Sequence, residues 1–90
     1  MSLSKEHLAQ IRADFPAGDV ADVIAELGRI TTSETMDSQG NLSNAIGAIL
    51  KLSKGSFAEL KGLVDAAKID FRDVIYWWYL ENKKATHSDG

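Results

Sequence analysis

SFAELKGLVDAAKIDFRDVIYWWY, residues 56–79, reads as two helices meeting at a tight turn, around which the rest of the chain is expected to be arranged. Ser56 followed three residues later by Glu59 is a capping-box spacing, in which each side chain satisfies an orphan backbone donor at the helix start. Phe57, Leu60, Leu63, Val64 and Ala67 then give this helix its apolar face. Lys68 and Ile69 end it, and Asp70 is placed to cap the next. There Phe71, Val74, Ile75 and Trp78 fall at i, i+3, i+4 and i+7, the spacing of a buried stripe.

The run Tyr76-Trp77-Trp78-Tyr79 cannot face inward as a whole, because consecutive residues step 100° around a helix. With Trp78 in the core stripe, Tyr76 and Trp77 point away from it and Tyr79 lies to one side, near Ile75. Two readings follow. In one, the first helix wraps across this one and buries both flanks. In the other, Tyr76, Trp77 and Tyr79, with Arg72 a turn earlier, form an interaction surface, since tryptophan, tyrosine and arginine are enriched at binding hot spots. Arg72 is also placed to pair with Asp65 or Asp73, or to stack on Tyr76.

Moving toward the N-terminus, Leu42, Ile46, Ile49, Leu50 and Leu52 predict a helix that begins near Asn41 or Ser43, with an apolar face wide enough to be buried from more than one side. Gly47 and Ala48 allow a neighbour to come close. Lys51 and Lys54 suit the negative end of the helix dipole, and Gly55 is a natural stop. The segment TTSETMDSQG, residues 31–40, lacks a period and reads as a mobile loop. A rival reading starts a helix at Thr32 or Ser33 and carries it through Gly40, at a cost of about 1 kcal/mol. Before it, Asp19 is a candidate cap for a helix with Val20, Val23, Ile24 and Leu27 inward, ended by Gly28. The first helix starts after Ser4, buries Leu8, Ile11 and Phe15, and stops at Pro16, since the residue before a proline is pushed out of the α region. After Leu80, ENKKATHSDG has no apolar residue larger than alanine and is expected to fray.

These elements predict an all-α fold: a compact array of four to five short helices in a single domain, residues 1–80, with a flexible C-terminal tail, residues 81–90, and the last two helices in a helix-turn-helix-like pair. Ninety residues with one proline and 44% hydrophobic content suit one small core. The absence of cysteine excludes disulfides and thiolate chemistry. No apolar run approaches the ~20 residues of a membrane span, and the N-terminus lacks a signal-peptide layout, so a cytoplasmic protein is expected.

The formal net charge of −3 is uneven: residues 1–40 carry seven acids against three bases, and residues 41–80 four against five. That balance argues against nucleic acid as a partner. VDAAKIDFRDVIYWW nevertheless has a helix-turn-helix layout, with Val64 and Ala67 inside the first helix, Ile69 at the turn, and Val74 and Trp77 inside the second. Lys68 stands where that turn usually has glycine. The recognition face would be Asp70, Phe71, Arg72, Asp73 and Tyr76, whose two carboxylates oppose phosphate binding. Asp19, Asp22 and Glu26 share one helix side and read as a solvated face rather than a metal site. Neither His7 nor His87 has a ligand-spaced partner, the central serines and threonines have no adjacent base, and there is no glycine-rich phosphate cradle. No catalytic, cofactor-binding or metal-binding residues are assigned, no cofactor is implied, and enzymatic activity is not expected.

Residues 48–78, AILKLSKGSFAELKGLVDAAKIDFRDVIYWW, resemble the C-terminal half of a group of small bacterial helical proteins of unknown function. The matching positions are Ile49, Leu50, Lys51, Leu52, Gly55, Leu60, Val64, Ala67, Lys68, Asp70, Arg72, Asp73 and Val74, in a segment covering about a third of the chain. The resemblance implies a bacterial, intracellular helical protein and carries over no activity, ligand or active site. The sequence therefore leaves the function unknown; the reading it favours is a small helical protein-interaction or structural module, with self-association as a homodimer through its aromatic last helix as one form of it. Its expected partner is itself or another protein, with neither nucleic acid nor membrane. The alternative is a nucleic-acid-associated regulatory helix-turn-helix protein.

Overall fold

The computed structural model describes residues 3–88, with side chains described through residue 83. Five α-helices make up most of it: α1 (Lys5–Asp14), α2 (Val20–Leu27), α3 (Gln39–Ser53), α4 (Phe57–Ile69) and α5 (Phe71–Ser88). Short 3-10 turns at Ala17–Asp19 and Thr32–Thr35 lie in the connections, and no strand occurs among the described residues. The all-α array expected from periodicity is the observed fold.

The wide apolar face of α3 explains its central place. Leu42, Ala45, Ile46, Ala48, Ile49 and Leu50 are all buried, and the hydroxyl of Ser53, also buried, donates to the Leu50 carbonyl at 3.0 Å. Helices α1, α4 and α5 and the Thr32–Thr35 turn all pack on α3. Each surrounding helix contributes one stripe: Ile11 from α1, Val23 and Leu27 from α2, Leu60, Val64 and Ala67 from α4, and Phe71 and Val74 from α5. Phe15 and Ile30, just outside helices, complete the core. Each large aliphatic side chain so buried contributes about 1.5–3 kcal/mol.

Local chemistry sets the ends. At α1, the Ser4 hydroxyl accepts from the His7 backbone N–H at 3.1 Å, while His7 Nδ1 accepts from the Ser4 N–H at 3.3 Å, a capping box with histidine in the position usually held by glutamate or glutamine. Phe15, ahead of Pro16, has the extended backbone that proline imposes, φ −111° and ψ 149°. Asp19 does not cap α2. Its backbone is already right-handed, and the preceding turn feeds directly into the helix, with the Val20 N–H bonded to the Ala17 carbonyl.

The segment expected to be a mobile loop is instead closed by its own hydrogen bonds. Glu34 accepts from the backbone and hydroxyl of Thr31 at 2.7 and 3.0 Å, and the Thr31 hydroxyl accepts from the Ser33 N–H at 3.3 Å. Thr35 is fully buried; its hydroxyl reaches the Thr32 and Ser38 carbonyls, and its own carbonyl accepts from the Asn41 side chain at 3.2 Å. Met36 and Asp37 turn the chain in left-handed conformations, and Ser38 then caps α3, which begins at Gln39 and includes Gly40. Lys68 on α4 fastens the segment, donating to the Arg29 carbonyl at 2.9 Å and lying 3.7 Å from Glu34.

At the end of α3, Lys54 and Gly55 are both left-handed, with φ of 51° and 82°. The Gly55 backbone lies against the end of α1, where a Cβ would sit 2.4 Å from the Asp14 carbonyl oxygen. Ser56 accepts from the Glu59 N–H at 3.2 Å, which realises one half of the expected capping box. Helix α5 runs through Ser88 rather than ending near Leu80. Glutamate, lysine and alanine in residues 81–85 have high helix propensity, which favours its continuation without apolar anchors. The flexible tail expected over residues 81–90 thus falls partly on this helix, and residues 89–90 lie outside the described residues.

Two glycines give opposite expectations. Gly62 sits mid-helix on the exposed side of α4, with nothing within 4 Å of an added Cβ, so Gly62→Ala should raise the unfolding free energy by about 0.5–1 kcal/mol. Gly55→Ala should lower it by more than about 1 kcal/mol, because both the positive φ and the Asp14 carbonyl oppose a side chain. Urea denaturation of the two variants would read both effects, and a neutral Gly55→Ala would refute the packing of this turn on α1.

Candidate interaction surface

The aromatic segment is positioned by a one-residue junction. Asp70 alone separates α4 from α5, in an extended conformation with φ −155° and ψ 105°. Its N–H bonds back to the Ala66 carbonyl at 2.9 Å, and its carboxylate accepts from the Arg72 N–H at 3.0 Å. The side chain of Arg72 turns back on the same carboxylate, with Nε to Oδ1 and Nη2 to Oδ2 both at 2.9 Å. This bidentate pair, with the backbone bond, holds the Asp70 carboxyl below the usual carboxylate range. Arg72 therefore belongs to the cap of α5 and pairs with neither Asp65 nor Asp73, while Asp65 pairs with Arg29 at 2.9 Å.

From this start Phe71 and Val74 enter the core, and Ile75 is half-buried. Past Ile75 the cover ends. Tyr76 is 57% exposed, Trp77 41%, Trp78 37%, Tyr79 53% and Leu80 41%. The expectation that Trp78 fills the core is corrected: it lies on the side of α5 that faces the fold, but beyond the last core side chain. The wrapping first helix is corrected too, since α1 packs mainly on α3 and α2.

Tyr76, Trp77 and Tyr79 lie on the outward arc of α5 together with Leu80, which sequence reasoning placed only at the end of the domain, while Trp78 lies on the other side of the helix. Helical spacing was the available signal for Leu80, which is i+4 from Tyr76 and i+3 from Trp77. Arg72 stays a turn away, tied to Asp70. Helices α4 and α5 form the expected pair about the tight turn at Asp70 and pack on each other. Within this pair Ile69, at the turn, is 87% exposed, and Trp77, expected inside the second helix, is 41% exposed.

Trp78 also walls a groove of about 400 Å³ between α1, α3 and α5, lined by His7, Ser43, Asn44, Gly47, Ala48, Lys51 and Ile75. His7 is buried at its edge. Burial lowers its pKa, against a hydrogen bond with the Ser43 backbone and the charge of Glu6, which raise it. The capping bond to Nδ1 requires that nitrogen to be unprotonated. His7 thus fixes the start of α1 against α3 as a neutral imidazole.

Among the described residues no group of three or more histidine, cysteine, aspartate or glutamate side chains is placed to hold a metal ion. Glu26, from the acidic side of α2, pairs with Arg29. No helix among the described residues is long and apolar enough to cross a membrane.

A lowered pKa in the native state means that the unfolded chain takes up the His7 proton first, so stability held above about pH 6.5 is lost as pH falls through the native value. Denaturant titrations between pH 7 and about pH 5.5 should show this decline, and His7→Gln, which keeps a capping side chain at that position, should flatten it. An identical slope in the variant would rule out His7 as its source. The chain matches no protein-family model, no curated protein and no solved structure.

Proposed function

We propose that this chain is a small, non-catalytic helical protein-interaction module that binds through the aromatic face of α5 and associates first with itself. The observation that carries the proposal is that Tyr76, Trp77, Tyr79 and Leu80 are left at the surface on the outward arc of α5, beside a core whose large side chains are at most 6% exposed. Apolar surface of this kind, contiguous and rich in tryptophan and tyrosine, gains free energy when covered and is what binding hot spots are made of. Tyrosine and tryptophan also keep a polar atom for the wet rim of a contact. The resemblance of residues 48–78 to small bacterial helical proteins supports a bacterial, cytoplasmic setting for this role.

Sedimentation or light scattering across a range of concentrations should show mass rising above that of a single chain. Trp77→Ala should reduce association while the helical circular dichroism is kept, with a stability loss well short of the ~3–5 kcal/mol of a core tryptophan. A loss of that size with association unchanged would return Trp77 to a packing role. A strong salt-dependent shift of a DNA duplex by the wild-type chain would favour the regulatory alternative instead.

A further inference from the structure

The outward side of α5 carries a pattern that specifies both what covers it and in which direction. Taking 100° per residue, Phe71, Val74, Ile75 and Trp78 lie on the side toward the fold. Asp73, Tyr76, Leu80 and Lys83 lie on the opposite side, spaced 3, 4 and 3 residues apart. That is the a/d spacing of a helix–helix seam, with Trp77 and Tyr79 flanking it at the e and g positions. All six side chains are exposed. The seam has an acid at one end, a base at the other and two apolar residues between them. Neither Asp73 nor Lys83 makes a salt bridge among the described residues.

Such a seam complements itself in one orientation only. In an antiparallel pair related by a two-fold axis at Trp78, position 73 faces 83 of the second copy and position 76 faces 80. Each Asp73 then meets a Lys83, and each Tyr76 meets a Leu80. A parallel pair would set Asp73 beside Asp73 and Lys83 beside Lys83. Because the seam points away from the fold, the two bodies lie on opposite sides of the paired helices. We infer that the surface is covered by a second copy of this chain, with the two α5 helices antiparallel and two symmetric Asp73–Lys83 pairs closing the ends. This rests on the reading of α5 as the contact face. Tyr76, Trp77, Tyr79 and Leu80, each about half exposed, offer roughly 100 Å² apiece. The apolar part of the contact is then about 800 Å² over both copies, below the ~1,200–2,000 Å² of stable complexes. The pair is therefore a concentration-dependent dimer, not a permanent one.

Charge reversal tests the geometry without touching the aromatic residues. Sedimentation equilibrium of the full chain, with circular dichroism to confirm the helical fold, would compare Asp73→Lys, Lys83→Asp, the double variant, and an equimolar mixture of the two single variants. Each single variant makes both end pairs repulsive and should weaken dimerisation about tenfold. The double variant and the mixture restore opposite charges at both ends and should recover near wild-type affinity. A dimer indifferent to both reversals, or a double variant no better than the singles, would overturn the antiparallel pairing. If Trp77→Ala still weakened that dimer, α5 would stand as the contact face. If it did not, or if the wild-type chain were a monomer at every concentration, the reading of α5 as a self-association surface would fall as well.

Discussion

Burial of α3 on nearly every side is the constraint from which the other helices take their positions. A helix with Leu42, Ala45, Ile46, Ala48, Ile49 and Leu50 inward cannot be covered by one neighbour, and α1, α4 and α5 share the task with the Thr32–Thr35 turn. Each of these elements then needs only a narrow stripe of its own. The close fit of the α3–α4 turn on the end of α1 follows from the same arrangement, with Gly55 against Asp14 drawing the two ends together. Helix α5 is held through Phe71, Val74 and Ile75 near its start, and the remainder projects past the core.

Polar contacts shape the connections more than they stabilise them. Arg29 bridges Glu26 and Asp65, and Lys68 reaches the Arg29 carbonyl and Glu34, so the chain between α2 and α3 is fastened to α4. Exposed pairs of this kind contribute little each. Their effect is positional, fixing a turn whose only fully buried side chains are Ile30 and Thr35.

Much of this was legible from residues alone where a short-range rule decides the outcome. The width of the α3 face, the stop at Pro16, the turn at Gly55, the Ser56 cap and the inward stripe from Phe71 to Ile75 all follow from spacing and backbone preference. Trp78 shows the limit of that reasoning. Periodicity gives the direction in which a side chain points, whereas burial depends on whether another element reaches that far, which is a property of helix lengths and crossing positions. The turn at residues 31–38 was missed for a different reason. Its order comes from side-chain bonds to nearby backbone, which leave no apolar period to read. Histidine as the capping partner of Ser4 was likewise invisible to a pattern that expects glutamate or glutamine at that position. Leu80 was read as a terminus, although its spacing from Tyr76 and Trp77 already marked it as part of their surface.

The two tryptophans have a consequence for how this molecule reports on itself. Both lie on the uncovered part of α5, while the aromatic members of the core are Phe15 and Phe71, which emit weakly. In the folded chain each indole ring is therefore partly hydrated and partly covered, Trp77 41% and Trp78 37% exposed. A dry surface coming to rest on the last helix would remove the remaining water from Trp77, so the chain's own fluorescence is a direct gauge of whether that helix has been covered.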